Sequence, residues 1–347
     1  MNITVSERPG VYTGYDASSI VQSSAANGAV GIVCACELEG VTQFLTASAA
    51  RTALGASSKG AKYVELALGG GASACWVSPV GTSASATDYG AAAKALREKD
   101  IAAICCDSNV SAVTAAIKSE VAAASSERHE RIAVFAMSGS AETIIAAASA
   151  LNSERCVMVG PVPVGGDGET IDACEVAVAT AAAIVSLGDP ALPLGGVSLS
   201  GLYGAGGTLT SAEVDALVRG GVTAIECLAG EIQVIRGVTT RTKTGSEADA
   251  TWRELSTILI VDNVMKTLRS SLRSKFARAK NLAETRESVA SQVSIELAAK
   301  KHAGIIADYG SVSATATPGD PTRCDVEFEF AVAHGLDRIV VAAHILV

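Results

Sequence analysis

The sequence predicts an α/β domain built on a mostly parallel sheet, then a smaller α+β domain, with an extended strand at each end of the chain. Three observations carry this. From about residue 29 to 240, short apolar β-rich runs alternate with alanine-rich helical stretches, the pattern of βαβ units whose sheet is covered on both faces. After residue 240 the alternation stops, and two long helical patterns precede three β-type runs. Each terminus also carries a β-type segment with no local partner, SERPGVYTGYDASS (Ser6–Ser19) and DRIVVAAHILV (Asp337–Val347).

The first segment cannot be helical at Pro9-Gly10, while Val11, Tyr12 and Tyr15 suit a strand. Glu7, Arg8, Thr13 and Asp16 interrupt any apolar face. In the middle region, strands are expected at Ala29–Cys36, Lys62–Leu68, Ala74–Val80, Ile101–Asp107, Arg131–Met137, Cys156–Val162, Val222–Leu228 and Glu231–Gly237. Helices are expected at Thr87–Lys99, Val110–Ser126, Ala141–Leu151, Ile171–Leu187 and Ser211–Arg219. Thr210-Ser211-Ala212-Glu213 offers side chains to cap the last of these. TRTKTGSEADATW (Thr240–Trp252) is a polar bridge to helices at Trp252–Lys280 and Glu284–His302. The β-type runs Ile305–Thr315, Cys324–Val332 and Arg338–Val347 follow. In CDVEFEFAV, Val326, Phe328 and Phe330 alternate with Glu327 and Glu329, the signature of a half-exposed antiparallel strand.

An apolar β-segment at a free end is a sheet-edge adhesive unless it is paired. Two such ends suit strand exchange between neighbouring copies, with backbone hydrogen bonds supplying the affinity. The residues expected to carry it are Arg8, Pro9, Val11, Tyr12 and Tyr15 at one end and Ile339, Val340, Val341, Ile345 and Val347 at the other.

Composition narrows the functional classes. With 49% hydrophobic and 18% charged residues the chain is not a disordered one, and 4% aromatics leave alanine and glycine to fill thin cores. A formal charge of -9 argues against nucleic acid as a general partner. The nine cysteines lie mostly in apolar runs such as GIVCAC and IAAICCDS, without C-x-x-C spacing, and read as small buried hydrophobes of a reducing compartment. Four scattered histidines suggest no metal site, and no cofactor is expected. Residues 1–30 lack a basic start followed by an apolar core, and no run reaches the roughly 18 apolar residues of a spanning helix. A cytoplasmic protein without membrane insertion is expected.

Catalytic motifs are weak. GLYGAGGTL (Gly201–Leu209) lacks the third glycine of a dinucleotide fingerprint and follows a loop. Gly69-Gly70-Gly71 is expected between two strands, with no helix start to hold phosphate. VGPVPVGGDGE reads as a turn, and Ser138 is not in a nucleophile elbow. The chain is therefore not expected to be an enzyme, although an α/β enzyme with exchanged arms and a shell-forming protein remain alternatives. On the long helix, Lys266, Arg269, Arg273 and Lys280 fall on one narrow face beside Val261, Met265, Leu268, Leu272 and Phe276. That stripe is either a solvated face or a contact for an acidic partner.

Several stretches resemble the tail sheath proteins of contractile phage tails and related bacteriocin-type particles. RPGVY (Arg8–Tyr12) looks like that family's amino-terminal signature, and LNSERCVMVGP (Leu151–Pro161) is similar to its Leu-Asn-Ser-x-Arg stretch. VIRGVTTRT (Val234–Thr242) followed by WRELSTILIVDNVMKTLRSSL is the most specific match, with its strand, polar gap and helix bearing a Val-Asp pair. The resemblance is patchy over residues 28–130 and good from 131 onward; GIVCACELEGVTQFLTAS departs from the family's Gly-Pro-rich stretch. It implies stacked hexameric rings around an inner tube, contraction that drives the tube through a target envelope, and terminal strands that link neighbours. It also implies inner tail tube, baseplate and tail terminator proteins as partners. Assembly would take place in the host cytoplasm, followed by residence in a virion tail or a released particle. The cationic stripe becomes a candidate tube contact. The expected division is an arm at 1–20, an α/β domain at 21–240, an assembly domain at 241–335 and a linking strand at 336–347.

Overall fold

The computed structural model describes residues 28–166, 168–206, 208–336 and 340–344. A parallel sheet forms the centre of the α/β region. Its strands are β1 (Val30–Ala35), β3 (Cys75–Val80), β4 (Ala103–Cys106), β5 (Ile132–Ala136), β6 (Cys156–Gly160) and β9 (Val222–Leu228). Antiparallel strands extend both margins: β2 (Thr42–Phe44) on one side, and β10 (Glu231–Val234), β8 (Ser198–Ala205) and β7 (Val164–Gly165) on the other. The order is β2-β3-β1-β4-β5-β6-β9-β10-β8-β7. The turn from β9 to β10 is tight because Ala229 and Gly230 both adopt positive φ, 52° and 89°.

Helices cover both faces. Helices α1 (Ala47–Leu54), α2 (Lys59–Gly69) and α6 (Ala173–Ser186) close one core with Ile32, Tyr63 and Val134. Helices α3 (Ala86–Ala95), α4 (Ser111–Ser126), α5 (Ala141–Leu151) and α7 (Ser211–Arg219) close the other with Ile104, Phe135 and Ile144. Coverage on both sides explains why β5 and β6 are buried at every residue. Alanine lets the elements approach closely. Almost all of α6 is buried, and a Cβ placed at Gly70 would stand 2.6 Å from that of Ala182. Seven of the nine cysteines are buried free thiols, with Cys36 and Cys324 partly exposed. The expected cap of α7 is present as a reciprocal box between Thr210 and Glu213.

Three sequence expectations need correction here. Lys62–Leu68 is not a strand but the body of α2, capped by Ser58 and burying Tyr63, Val64, Leu66 and Ala67 at helical spacing. A single β-branched residue, Val64, was too little to outweigh that period. The glycines at 69–71 therefore end a helix instead of joining strands. GLYGA does follow a loop but lies within a strand, β8, and Val164 of the expected turn lies in β7, which pairs with it. Thr42–Leu54, left without an element, forms β2 and α1.

The carboxy-terminal region follows a short hairpin, β11 (Lys243–Thr244) and β12 (Glu247–Ala248). Helices α8 (Leu255–Phe276) and α9 (Ala283–His302) pack on two small sheets. One pairs β13 (Ile306–Tyr309) with β16 (Phe330–Val332); the other pairs β14 (Ser313–Thr317) with β15 (Asp320–Glu327). Each of the two long β-type runs expected here is thus divided into separate strands. Val326, Phe328 and Phe330 do face one way, toward a core of Ile260, Val264, Leu268, Val293, Leu297 and Ile306. Glu327 and Glu329 face solvent. The expected apolar stripe of α8 is displaced: Ile260, Val264 and Leu268 are inside, while Met265 is exposed. The helix serves two cores, because Leu255 and Ile258 enter the α/β core one turn earlier.

Candidate assembly site

A charged seam joins the two regions, and the residues that form it come from separate stretches of sequence. Helix α5 ends at Asn152, whose left-handed backbone (φ 36°) turns its side chain toward the polar bridge. Its Oδ1 accepts from the N–H groups of Thr242 (3.1 Å) and Lys243 (3.2 Å), and its Nδ2 donates to the carbonyl of Lys243 (3.1 Å). Ser153 N–H donates to Thr240 Oγ1 (3.0 Å), which in turn donates to the Ser153 carbonyl (3.0 Å). Glu154 pairs with Arg241 (2.7 Å). Arg155 reaches α8 and donates to the Asp262 carboxylate from both terminal guanidinium nitrogens, at 2.9 and 3.0 Å. Thr239 Oγ1 donates to the carbonyl of Trp252 (2.6 Å), and Arg236 pairs with Glu254 (2.7 Å).

Electrostatics at the seam are divided. Burial pushes the Asp262 carboxyl above its ordinary value, against the pull of Arg155. Burial also raises Glu154, but hydrogen bonds from its own N–H and from Arg241 overcome it and hold the group below the usual range. The Arg155–Asp262 pair is nearly buried, so removing one partner strands a charge, whereas replacing both by apolar groups need not destabilise.

The cationic stripe divides between this seam and solvent. Lys266 donates to the Glu130 carbonyl at 3.1 Å. Arg269 binds the Glu130 carboxylate with both terminal nitrogens and also donates to the Arg128 carbonyl (3.3 Å). Glu130 is placed for this by its neighbour: buried Arg131 donates to the carbonyls of Leu96 (2.9 Å), Arg97 (2.5 Å) and Lys99 (3.2 Å). That burial draws the Arg131 guanidinium down to about 10. Arg273 is exposed on α8, whereas Lys280, expected on the same helical face, is exposed beyond the helix, which ends at Phe276. The sequence placed all four cations on one face but could not show that Glu130, 136 residues before Lys266, would meet two of them. The seam pairing of Arg155 with Asp262 was equally hidden, although each residue stood in a motif already singled out.

The sheet β13–β16 has two strands, and among the described residues neither outer edge meets another strand. A two-stranded sheet is marginal alone. Beyond it, Leu336, Val340 and Val341 are 76%, 93% and 85% exposed, and residues 340–344 form no element within the chain. Arg8, Pro9, Val11, Tyr12, Tyr15, Ile339, Ile345 and Val347 lie outside the described residues.

In the α/β region, ligand crevices of such sheets lie where strand order reverses, here between the carboxyl ends of β1 and β4. Asp107 fills that position, accepting from Ala35 N–H (2.8 Å) and the Tyr89 hydroxyl (2.5 Å). No group of three metal-binding side chains occurs among the described residues, and no described helix is long and apolar enough to cross a membrane.

The chain thus carries an α/β body covered on both faces and a smaller domain of two helices and short paired strands. The chain belongs to the phage tail sheath protein family. Residues 82–240 match the family's central domain and residues 247–345 its C-terminal domain. No curated protein matches the chain in sequence. Among solved structures, a chain of the anti-feeding prophage baseplate superposes with a TM-score of 0.74 at 15% identity, covering 99% of this chain and 100% of that one. The anti-feeding prophage helical sheath in its contracted state gives 0.71 at 15% identity, covering 98% and 99%. A sheath tail protein from Desulfitobacterium hafniense gives 0.69 at 12% identity, covering 93% and 100%. At these identities the likeness is one of fold.

Proposed function

We propose that this sheath protein polymerises as stacked hexameric rings around an inner tube and contracts to drive that tube through a target envelope. The observation that carries the assembly part is the open sheet β13–β16 beside an exposed apolar terminal run. Strands from about residues 5–15 and 339–347 of neighbouring copies would complete that sheet, satisfying its free edges with backbone hydrogen bonds. The similarity to a contracted helical sheath and to a baseplate chain supports rings that meet a baseplate and change packing. Assembly in the host cytoplasm and residence in a virion tail or released particle follow from the same proposal. The division into an arm at 1–20, a body at 21–240, an assembly domain at 241–335 and a linking strand at 336–347 belongs to it too.

Tube contact is assigned to the exposed cations Arg273, on α8, and Lys280, just past its end, because Lys266 and Arg269 are engaged with Glu130. Solvent-reachable charge pairs are weak individually and screened by salt, which suits a contact that must release. The test is negative-stain microscopy of the full chain and of a chain lacking residues 1–17. Striated tubes from the first and folded, unassembled protein from the second are expected. Closed cages or small discrete oligomers from the full chain would overturn the sheath proposal, and tubes from the truncated chain would overturn the arm model.

A further inference from the structure

Two thiols stand two residues apart where β1 runs out, Cys34 inside the strand and Cys36 just beyond it. The ladder continues past the strand: Ala35 pairs with Val80 of β3, and the Cys36 N–H donates to the Val80 carbonyl (3.3 Å). Residues two apart on such a backbone share a face. Cys34 and Cys36 accordingly both turn to the core closed by α1, α2 and α6, while Ala35 and Glu37 are exposed. The Cys34 thiol is buried, the Cys36 thiol is partly exposed, and the two interact with each other. The adjacent pair Cys105-Cys106 is the contrast. Cys105 enters one core and Cys106 the other, so those two thiols cannot grip a common ligand.

A disulfide fits the C-x-C pair poorly. Two residues of an extended strand span about 6.7 Å between Cα atoms, whereas a disulfide is most often formed across about 5.5–6 Å. The backbone is held against shortening, with Ala35 N–H on the Asp107 carboxylate (2.8 Å) and Cys36 N–H on Val80. An ion placed between the sulfurs needs no shortening. The number of ligands then selects the ion. No group of three metal-binding side chains occurs among the described residues, and zinc takes four ligands, so two thiolates suit a soft ion that accepts two. Gly60, in the first turn of α2, passes beside the buried thiol: a Cβ there would stand 3.5 Å from the Cys34 sulfur. The positive end of that helix therefore lies next to the two sulfurs.

We propose that Cys34 and Cys36 form a two-coordinate site for a soft monovalent cation of the Cu(I) class. The ion enters past Cys36. Binding replaces two S–H bonds by two sulfur–metal bonds and releases two protons, with no change of oxidation state. The bound unit carries one net negative charge, which the α2 amino terminus favours.

The test titrates the full chain with Cu(I), oxygen excluded, against a chromophoric Cu(I) chelator. One ion per chain is expected to leave the chelator, and Cys36→Ser should weaken that binding by more than about a hundredfold. Cys324→Ser, which removes the other partly exposed thiol, should change nothing. Copper should raise the urea midpoint of the unaltered chain and not that of Cys36→Ser or Cys36→Ala, whose copper-free midpoints show that both variants fold. X-ray absorption at the copper edge should find two sulfur neighbours. A chain that takes no copper from the chelator, a Cys36→Ser variant that binds as tightly as the unaltered chain, or three sulfur neighbours would each overturn the site. None of these measurements needs tubes, so failure of the site and failure of sheath assembly are read separately.

Discussion

The α/β body and the carboxy-terminal domain solve the problem of burial in opposite ways. The body has two large cores, one on each face of its sheet, and its central strands are wholly enclosed. The terminal domain has one small core of six buried residues, ringed by Tyr309, Phe328, Phe330 and Val332 that are only half covered. Its sheets are two strands wide. The body's sheet is ten strands wide, and among the described residues the terminal domain's sheets leave both edges of a two-strand pair open. Ion pairs, neutral hydrogen bonds and the apolar side chains Leu255 and Ile258 of α8 all fasten the two, where the interior of the body relies chiefly on apolar contact. The seam thus joins a part whose sheet is covered on both faces to a part whose described sheets are two strands wide.

Breaking the seam should have the largest effect. Arg155→Ala leaves Asp262 buried without its partner and is expected to cost about 3–5 kcal/mol, read as a lower urea midpoint. The double change Arg155→Met with Asp262→Leu should recover most of that loss, and a double variant as unstable as the single would show that the charge is not the cause. The two halves of the cationic stripe should separate next. Arg269→Glu opposes Glu130 and should cost about 1–3 kcal/mol, while Arg273→Glu should stay within about 0.5 kcal/mol in the isolated chain and weaken tube docking instead. Equal destabilisation by both would erase the distinction between seam and surface.

The pH response sharpens the same contrast. Burial raises Glu130, yet its bonds with Arg269 and its own N–H hold it below 4.5, and Glu154 is held down similarly. A depressed carboxyl stabilises the fold above its unfolded value, and that contribution is lost as pH falls through the folded value. Asp262, raised by burial, has the opposite sign: its contribution is present at low pH and lost as pH rises. Stability should therefore decline below about pH 4.5, and Arg269→Met should flatten part of that decline in an acid titration of the urea midpoint. The smallest effect belongs to the body's periphery. Thr210→Ala removes one arm of the α7 capping box and should cost about 1 kcal/mol in thermal unfolding without changing assembly.

The parallel sheet was legible in the sequence because buried strands such as IAVFA are short, apolar and separated by alanine-rich helices. KYVELAL misled because a lone valine and a tyrosine look strand-like until their spacing is placed on a helix. Alternation in CDVEFEFAV gave the correct face, but not the break between β15 and β16. The seam was half legible. Arg155 and Asp262 stood in noticed motifs, yet their pairing spans 107 residues and no local pattern encodes it. Lys266 and Arg269 looked like a free stripe for the same reason, since their partner lies on a turn held by Arg131 far away in sequence.

The central claim is that the open sheet of one copy is completed by the ends of others. The most direct measurement is a cryo-EM reconstruction of tubes grown from the full chain, traced through the β13–β16 sheet. Strands from residues 5–15 and 339–347 of neighbouring copies, hydrogen-bonded to its edges, are the expected result. A sheet still two strands wide inside a well-ordered tube, with the termini elsewhere, would contradict it.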